Sequence, residues 1–215
     1  MGVAPSWDSP DIVTNYWNPF RLEPDTQVVV RNLSPKATAV NALVTLSFAG
    51  FGIGLARSPF TSRVVTLAPL QEATLLFPLT QAMLNAPDQR IATFVRIDHP
   101  YDSKLINNKG EQLLADAYTS AEGRGFSVTF PVVNQLAGPE TIALTVLPND
   151  LGASVSPVSR TFAALEQFTA TLTIALPATL HGTGASPLRK DVTVVGRRGD
   201  GSLINGLTYV IWIDD

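Results

Sequence analysis

Short runs of Val, Ile, Leu and Thr, separated by clusters of Pro, Gly and Asn, recur along the whole 215-residue chain. Such runs predict strands punctuated by turns. They occupy residues 27–31, 42–48, 62–67, 73–77, 91–97, 112–118, 126–133, 141–147, 158–162, 168–176, 192–196 and 207–213. Several alternate strictly. In Phe168-Thr169-Ala170-Thr171-Leu172-Thr173-Ile174 threonine takes every second place, so one face is set toward a core and the other toward water. Helix signals are few: residues 80–84 can make one turn, and residues 111–117 contain helix-favouring Leu, Ala and Glu but sit in a strand-like run.

The pattern is also written twice. Thr66-Leu67-Ala68-Pro69-Leu70-Gln71-Glu72-Ala73-Thr74 returns 95 residues later as Thr161-Phe162-Ala163-Ala164-Leu165-Glu166-Gln167-Phe168-Thr169. Val29-Val30-Arg31-Asn32 is answered by Pro131-Val132-Val133-Asn134, and Leu105-Ile106-Asn107 by Leu203-Ile204-Asn205, at offsets of 102 and 98. Three echoes in one order at nearly one offset point to two copies of one fold. The fold class expected is therefore all-β, two tandem antiparallel immunoglobulin-like β-sandwiches over residues 1–119 and 120–215. A linker is expected near Ser120-Ala121-Glu122-Gly123.

Composition narrows the function classes. Charged residues are only 15% of the chain, against about 25% in typical domains, so disorder is disfavoured and a surface partly covered by neighbours is favoured. A formal net charge of −3, with no basic run longer than Arg197-Arg198, argues against nucleic acid as a partner. The chain has no cysteine, which removes disulfides, thiolate nucleophiles and Cys-based zinc sites. No apolar run approaches the roughly 20 residues of a membrane span, so membrane insertion is not expected. The opening residues lack the basic and apolar regions of a secretory signal. Localisation is thus left unknown: cell surface or secreted if a signal was trimmed, otherwise cytoplasmic or particle-associated.

Residues 7–118 carry Trp7-Asp8-Ser9-Pro10-Asp11-Ile12, a strand from Val28 ending in Asn32, a Leu67-Ala68-Pro69 turn, and Ile97-Asp98-His99-Pro100-Tyr101-Asp102 followed by Asn107-Asn108. In these features the first half resembles the bacterial CARDB-like, cell-adhesion-related immunoglobulin-like domains. The second half is similar to the immunoglobulin-like or fibronectin-like modules of bacterial surface proteins and glycosidases, although it lacks the His-Pro-x-Asp element. The resemblance implies display, adhesion or spacing, and it brings no catalytic residues with it.

Candidate chemistry is sparse. The two histidines, His99 and His181, fall in different halves, and no Gly-x-Ser-x-Gly elbow supports a hydrolytic triad. No catalytic residue and no cofactor is expected. Asp98, Asp102, Asn107 and Asn108 could offer oxygen ligands to calcium, but without Asp-x-Asp-x-Asp spacing they are expected to be turn residues, and no metal site is assigned. Gly50-Phe51-Gly52-Ile53-Gly54 lacks the helix and Lys of a phosphate loop and suits an apolar hairpin tip. Phe51, Ile53 and Phe60 then form either an exposed patch for a protein partner or a lid over the sandwich's own end. Trp7, Tyr16 and Trp17 can serve as a sugar platform or can seal the core edge.

The expected function is a non-catalytic structural or adhesion protein, not an enzyme, with protein partners, self-association or a larger assembly. Contacts are expected at Trp7, Tyr16, Trp17, Phe51, Ile53 and Phe60. The alternative is a carbohydrate-binding accessory module of an exported enzyme system. Strand edges and loop tips are the expected contact elements, with the arm through about Asn18 free to add itself to another chain.

Overall fold

The computed structural model of the chain describes residues 7, 9–14, 25–85, 88, 90–102, 108–120, 125–177 and 187–214. These form strands β1 (Ile12–Thr14), β2 (Asp25–Arg31), β3 (Ala39–Gly50), β4 (Ser58–Leu67), β5 (Glu72–Pro78), β6 (Ile91–Asp98), β7 (Lys109–Gln112) and β8 (Leu114–Ser120). They continue with β9 (Phe126–Val133), β10 (Glu140–Val146), β11 (Ser154–Ser156), β12 (Ser159–Phe162), β13 (Gln167–Ile174), β14 (Leu188–Arg198) and β15 (Leu203–Asp214). One helical turn, α1 (Gln81–Leu84), stands where the sequence allows it, capped by the Thr80 hydroxyl, which accepts from the Met83 amide at 3.3 Å. The fold is all-β.

The chain divides into two compact units, and neither is continuous in sequence. The first comprises Met1–Ala49 and Arg57–Gln112, the second Gly50–Ala56 and Leu113–Asp215. Unit 1 stacks a three-stranded sheet, β1-β2-β5, on a four-stranded sheet, β4-β3-β6-β7. Alternation sends Ile12, Val28, Val30 and Phe77 inward from the first sheet to meet Val44, Leu46, Phe48 and Val95 of the second in one cluster. This strand order is that of an immunoglobulin-like sandwich. A buried polar tie also joins the layers. The Thr14 hydroxyl lies 3.2 Å from that of Thr26 and 3.1 Å from that of Thr93, and Gln112 accepts from the Thr14 amide at 3.0 Å and donates to the Ile12 carbonyl at 2.5 Å. Every one of these polar groups gains a partner, so their burial is tolerated.

Unit 2 has sheets β11-β13-β9 and β12-β10-β14-β15-β8. Its pairs are antiparallel except β8, which runs parallel to β15 from Thr208↔Leu114 to Asp214↔Ser120. Buried Phe130, Val132, Ala170 and Leu172 come from one sheet, and Ile142, Val194, Leu207 and Tyr209 from the other. The Tyr209 hydroxyl donates to the Thr129 carbonyl at 2.9 Å, which satisfies its one buried polar atom.

The sequence echo is an echo of structure. Asn32 donates through Nδ2 to the carbonyls of Ala37, Leu67 and Ala68, while its Oδ1 accepts from the Ser34 amide. Asn134 does the same toward Gly138 and Ala163, with Oδ1 accepting from the Leu136 amide. Gln71 takes the Ala68 amide on its side chain, and Glu166 takes that of Ala163. Leu70 and Leu165, 95 residues apart, hold matching left-handed conformations at φ 59° and 56°.

Two expectations change. The strand expected at 112–118 is two strands broken at Leu113: β7 pairs with β6 in unit 1, and β8 pairs with β15 in unit 2. The chain passes from one unit to the other at Ala49/Gly50, Ala56/Arg57 and Gln112/Leu113, whereas the sequence predicts a single joint at 119/120. Of the arm through about Asn18, residues 12–14 pair with β2 of the same chain, from Ile12↔Val28 to Thr14↔Thr26, and residues 1–6, 8 and 15–18 lie outside the described residues. Leu105-Ile106-Asn107, residues 121–123 of the expected linker, and Asn18 lie outside the described residues.

Candidate interaction surfaces

Residues 50–56 show what the glycines of Gly50-Phe51-Gly52-Ile53-Gly54 are for. Within unit 2, Ile53 forms a parallel bridge to Val132 on the edge of β9. Its amide donates to the Pro131 carbonyl at 2.9 Å, and its carbonyl accepts from the Val133 amide at 2.9 Å. Asn205 clamps both flanks: Nδ2 donates to the Gly52 carbonyl at 3.1 Å, and Oδ1 accepts from the Gly54 amide at 3.0 Å. A Cβ at Gly52 would stand 2.5 Å from the Pro131 carbonyl oxygen, and one at Gly54 would stand 2.2 Å from that of Val133. Only glycine permits this approach. The side chains between them fill unit 2: Ile53 is fully buried, and Phe51 meets Tyr209 edge-to-face at 5.3 Å.

The expected contact residues are accordingly corrected. Phe51 and Ile53 are not an exposed patch, because their apolar area is already removed from water inside unit 2. Phe60 packs edge-to-face on Phe48 at 5.1 Å and against the core of unit 1. Trp7 is 3% exposed and cannot present a sugar platform. Tyr16 and Trp17, like His181, lie outside the described residues. Around His99, the Asp98 carboxylate accepts from Arg96 Nε at 2.9 Å and Nη2 at 2.6 Å, and the Asp102 amide closes a turn on the His99 carbonyl. Asp98 is thus committed to a neighbouring cation, and Asn107 lies outside the described residues.

Among the described residues, two surfaces combine exposed apolar side chains with the edge of a sheet. The first is β4, the edge of its sheet, with almost every side chain exposed. Its ladder to β3 is interrupted near Ala39/Ala42 and near Leu46/Ser47, and between these bulges residues 61–65 pair regularly. Leu43 and Val64 are register partners on the outer face, 37% and 61% exposed. Arg63 is the strand's one charge, and its guanidinium lies 5.6 Å from the Phe77 ring. Residues 62–67 read as a strand in the sequence, but nothing local marks it as an edge, since edge position is a property of the sheet order.

The second surface is the outer face of β14, β15 and β8 in unit 2. Trp212 donates from Nε1 to Asp116 Oδ1 at 2.7 Å, Tyr118 stacks on Trp212, and Arg189 lies over the same indole at 5.9 Å. Burial pushes the Asp116 carboxyl above its usual range, and the Trp212 hydrogen bond pulls the other way. Burial and then the charge of Asp116 push the Tyr118 phenol up.

No family profile matches the chain, and no curated protein matches it. Among solved structures, it is similar to Escherichia coli alpha-2-macroglobulin activated by porcine elastase over 87% of this chain and 22% of that one, at 9% identity and a TM-score of 0.35. It is similar to the Pseudomonas aeruginosa CupB2 chaperone over 45% of this chain and 51% of that one, at 14% identity and a TM-score of 0.33. SSP-19, an MSP-domain protein like family member of Caenorhabditis elegans, is matched over 46% of this chain and 94% of its own, at 12% identity and a TM-score of 0.32. The chain thus spans about half the length of the chaperone and a smaller part of the macroglobulin. The assignment of immunoglobulin-like β-sandwich rests on the strand orders above.

Proposed function

We propose that the chain is a non-catalytic structural or adhesion protein whose sandwiches contact protein partners, further copies of itself among them, in a surface or particle assembly. The observation that carries this is the β4 edge: a ten-residue strand that pairs on one side only among the described residues, with an apolar Leu43–Val64 pair on its outer face. Unpaired N–H and C=O groups on such an edge receive an added strand, and flanking apolar side chains supply affinity and register. The chain uses the same chemistry internally, where Ile53 adds to the edge of β9. The bulges confine a regular addition to residues 61–65, which favours a short partner strand over an open-ended sheet.

The test is light scattering over a concentration series for the natural chain and for a Leu43→Lys/Val64→Lys double variant. Each side chain is worth about 1.5–3 kcal/mol when buried, so the variant is expected to need at least tenfold more protein to associate. A natural chain that stays monomeric at every concentration, or a variant that associates equally well, contradicts the proposal.

A further inference from the structure

On the outer face of unit 2, strand register lays out two rows. Arg189, Trp212 and Tyr118 stand side by side across β14, β15 and β8, and two residues along stand Asp191, Val210 and Asp116. Tyr209, Ile211 and Ile213 point into the sandwich, so the intervening Val210 and Trp212 lie on the other face of the sheet, where Val210 is still buried and Trp212 is half-buried. The aromatic row is held in place. Trp212 is fixed by its 2.7 Å bond to Asp116, and Tyr118 lies within 17° of the indole plane at 6.5 Å between centroids. Tyr118 is half exposed on edge strand β8, so the row is open on that side.

A cross-strand aromatic pair alone would serve sheet stability. Here the rings are bordered by both kinds of hydrogen-bonding group. Asp116 and Asp191 are acceptors, and Arg189 is a donor held by Asp191 through Nε at 3.1 Å and Nη2 at 3.2 Å. Pyranose rings have an apolar C–H face and a rim of hydroxyls that both donate and accept. The half-exposed Tyr118 ring, stacked on Trp212 and flanked by carboxylates and a guanidinium, complements both features at once. Two carboxylates against one guanidinium disfavour an anionic ligand, which selects neutral sugars.

We propose that Tyr118 and Trp212, flanked by Asp116, Asp191 and Arg189, form a binding face for the pyranose units of a neutral polysaccharide. This site belongs to unit 2, whereas β4 and Trp7 belong to unit 1, and it does not depend on the protein-binding function proposed above.

The test is native electrophoresis of the full chain in gels containing a soluble β-glucan, mannan, xylan or galactan. At least one is expected to retard the chain. Tyr118→Ala is expected to weaken that retardation about tenfold, the loss expected for one ring contact of about 1.4 kcal/mol. Asp191→Asn, at an exposed position outside the aromatic packing, supplies a second variant should Tyr118→Ala unfold, and it is expected to weaken binding in the same direction. No retardation by any of the four polysaccharides, or retardation unchanged in both variants, overturns the proposal.

Discussion

At the residue scale, glycine decides where the chain can touch itself. Gly196 is the clearest case, because a Cβ there would stand 2.4 Å from Cγ2 of Ile53. Ile53 is fully buried, its backbone makes two hydrogen bonds to β9, and Asn205 clamps Gly52 and Gly54 on either side, so it cannot retreat. Gly196→Ala is therefore expected to destabilise unit 2 by about 1–3 kcal/mol, as overpacking does, and urea unfolding monitored by fluorescence measures it. An unchanged midpoint would mean that Ile53 does not sit there. The sequence displayed these glycines but not their reason, since a Gly-rich tip reads alike whether its neighbour is water or a strand 80 residues away. The Asn32 and Asn134 clamps were more legible. Each ends a strand at a matching position, and an Asn there has a local hydrogen-bonding role that spacing alone suggests. Leu70 and Leu165 were not. A left-handed leucine is uncommon, and only the backbone shows it.

At the element scale, strands with a regular alternation are legible in the sequence and the three-residue strands are not. Phe126–Val133 was bounded correctly because its alternation is strict and its ends are marked by Gly125 and Asn134. Ile12–Thr14 and Ser154–Ser156 are three residues each, too short for any period to show. β7 and β8 merged into one expected strand because Leu113, fully buried between them, continues the apolar run while the backbone changes sheet. The role of β1 leads to a prediction. Removing residues 1–14 deletes a strand, the buried Trp7 and the Thr14 hydroxyl that ties Thr26 to Thr93. Such a truncation is expected to lower the thermal midpoint of unit 1 by several degrees at least, since about 1 kcal/mol shifts a domain of this size by about 4–8 °C. Calorimetry of the truncated chain measures it, and an unshifted transition would show that β1 adds nothing to the sandwich.

At the scale of the whole molecule, the duplication was legible and the partition of the chain was not. The repeated corner follows from local chemistry, whereas residues 50–56 belong to unit 2 through contacts with residues 131–133, 205 and 209, which no local pattern reports. The consequence is an asymmetry between two edges: the β9 edge is occupied by Ile53, whereas among the described residues no strand pairs with the outer side of β4. That asymmetry underlies the proposed function, since a partner strand is expected at β4. Amide hydrogen exchange resolved by residue tests it most directly. In dilute protein, the amides of Ile53 and Val133 are expected to exchange slowly, while the outward amides of residues 61–65 exchange fast and become protected as the concentration rises. Fast exchange at Ile53 and Val133, or full protection of β4 in the dilute monomer, would contradict the account.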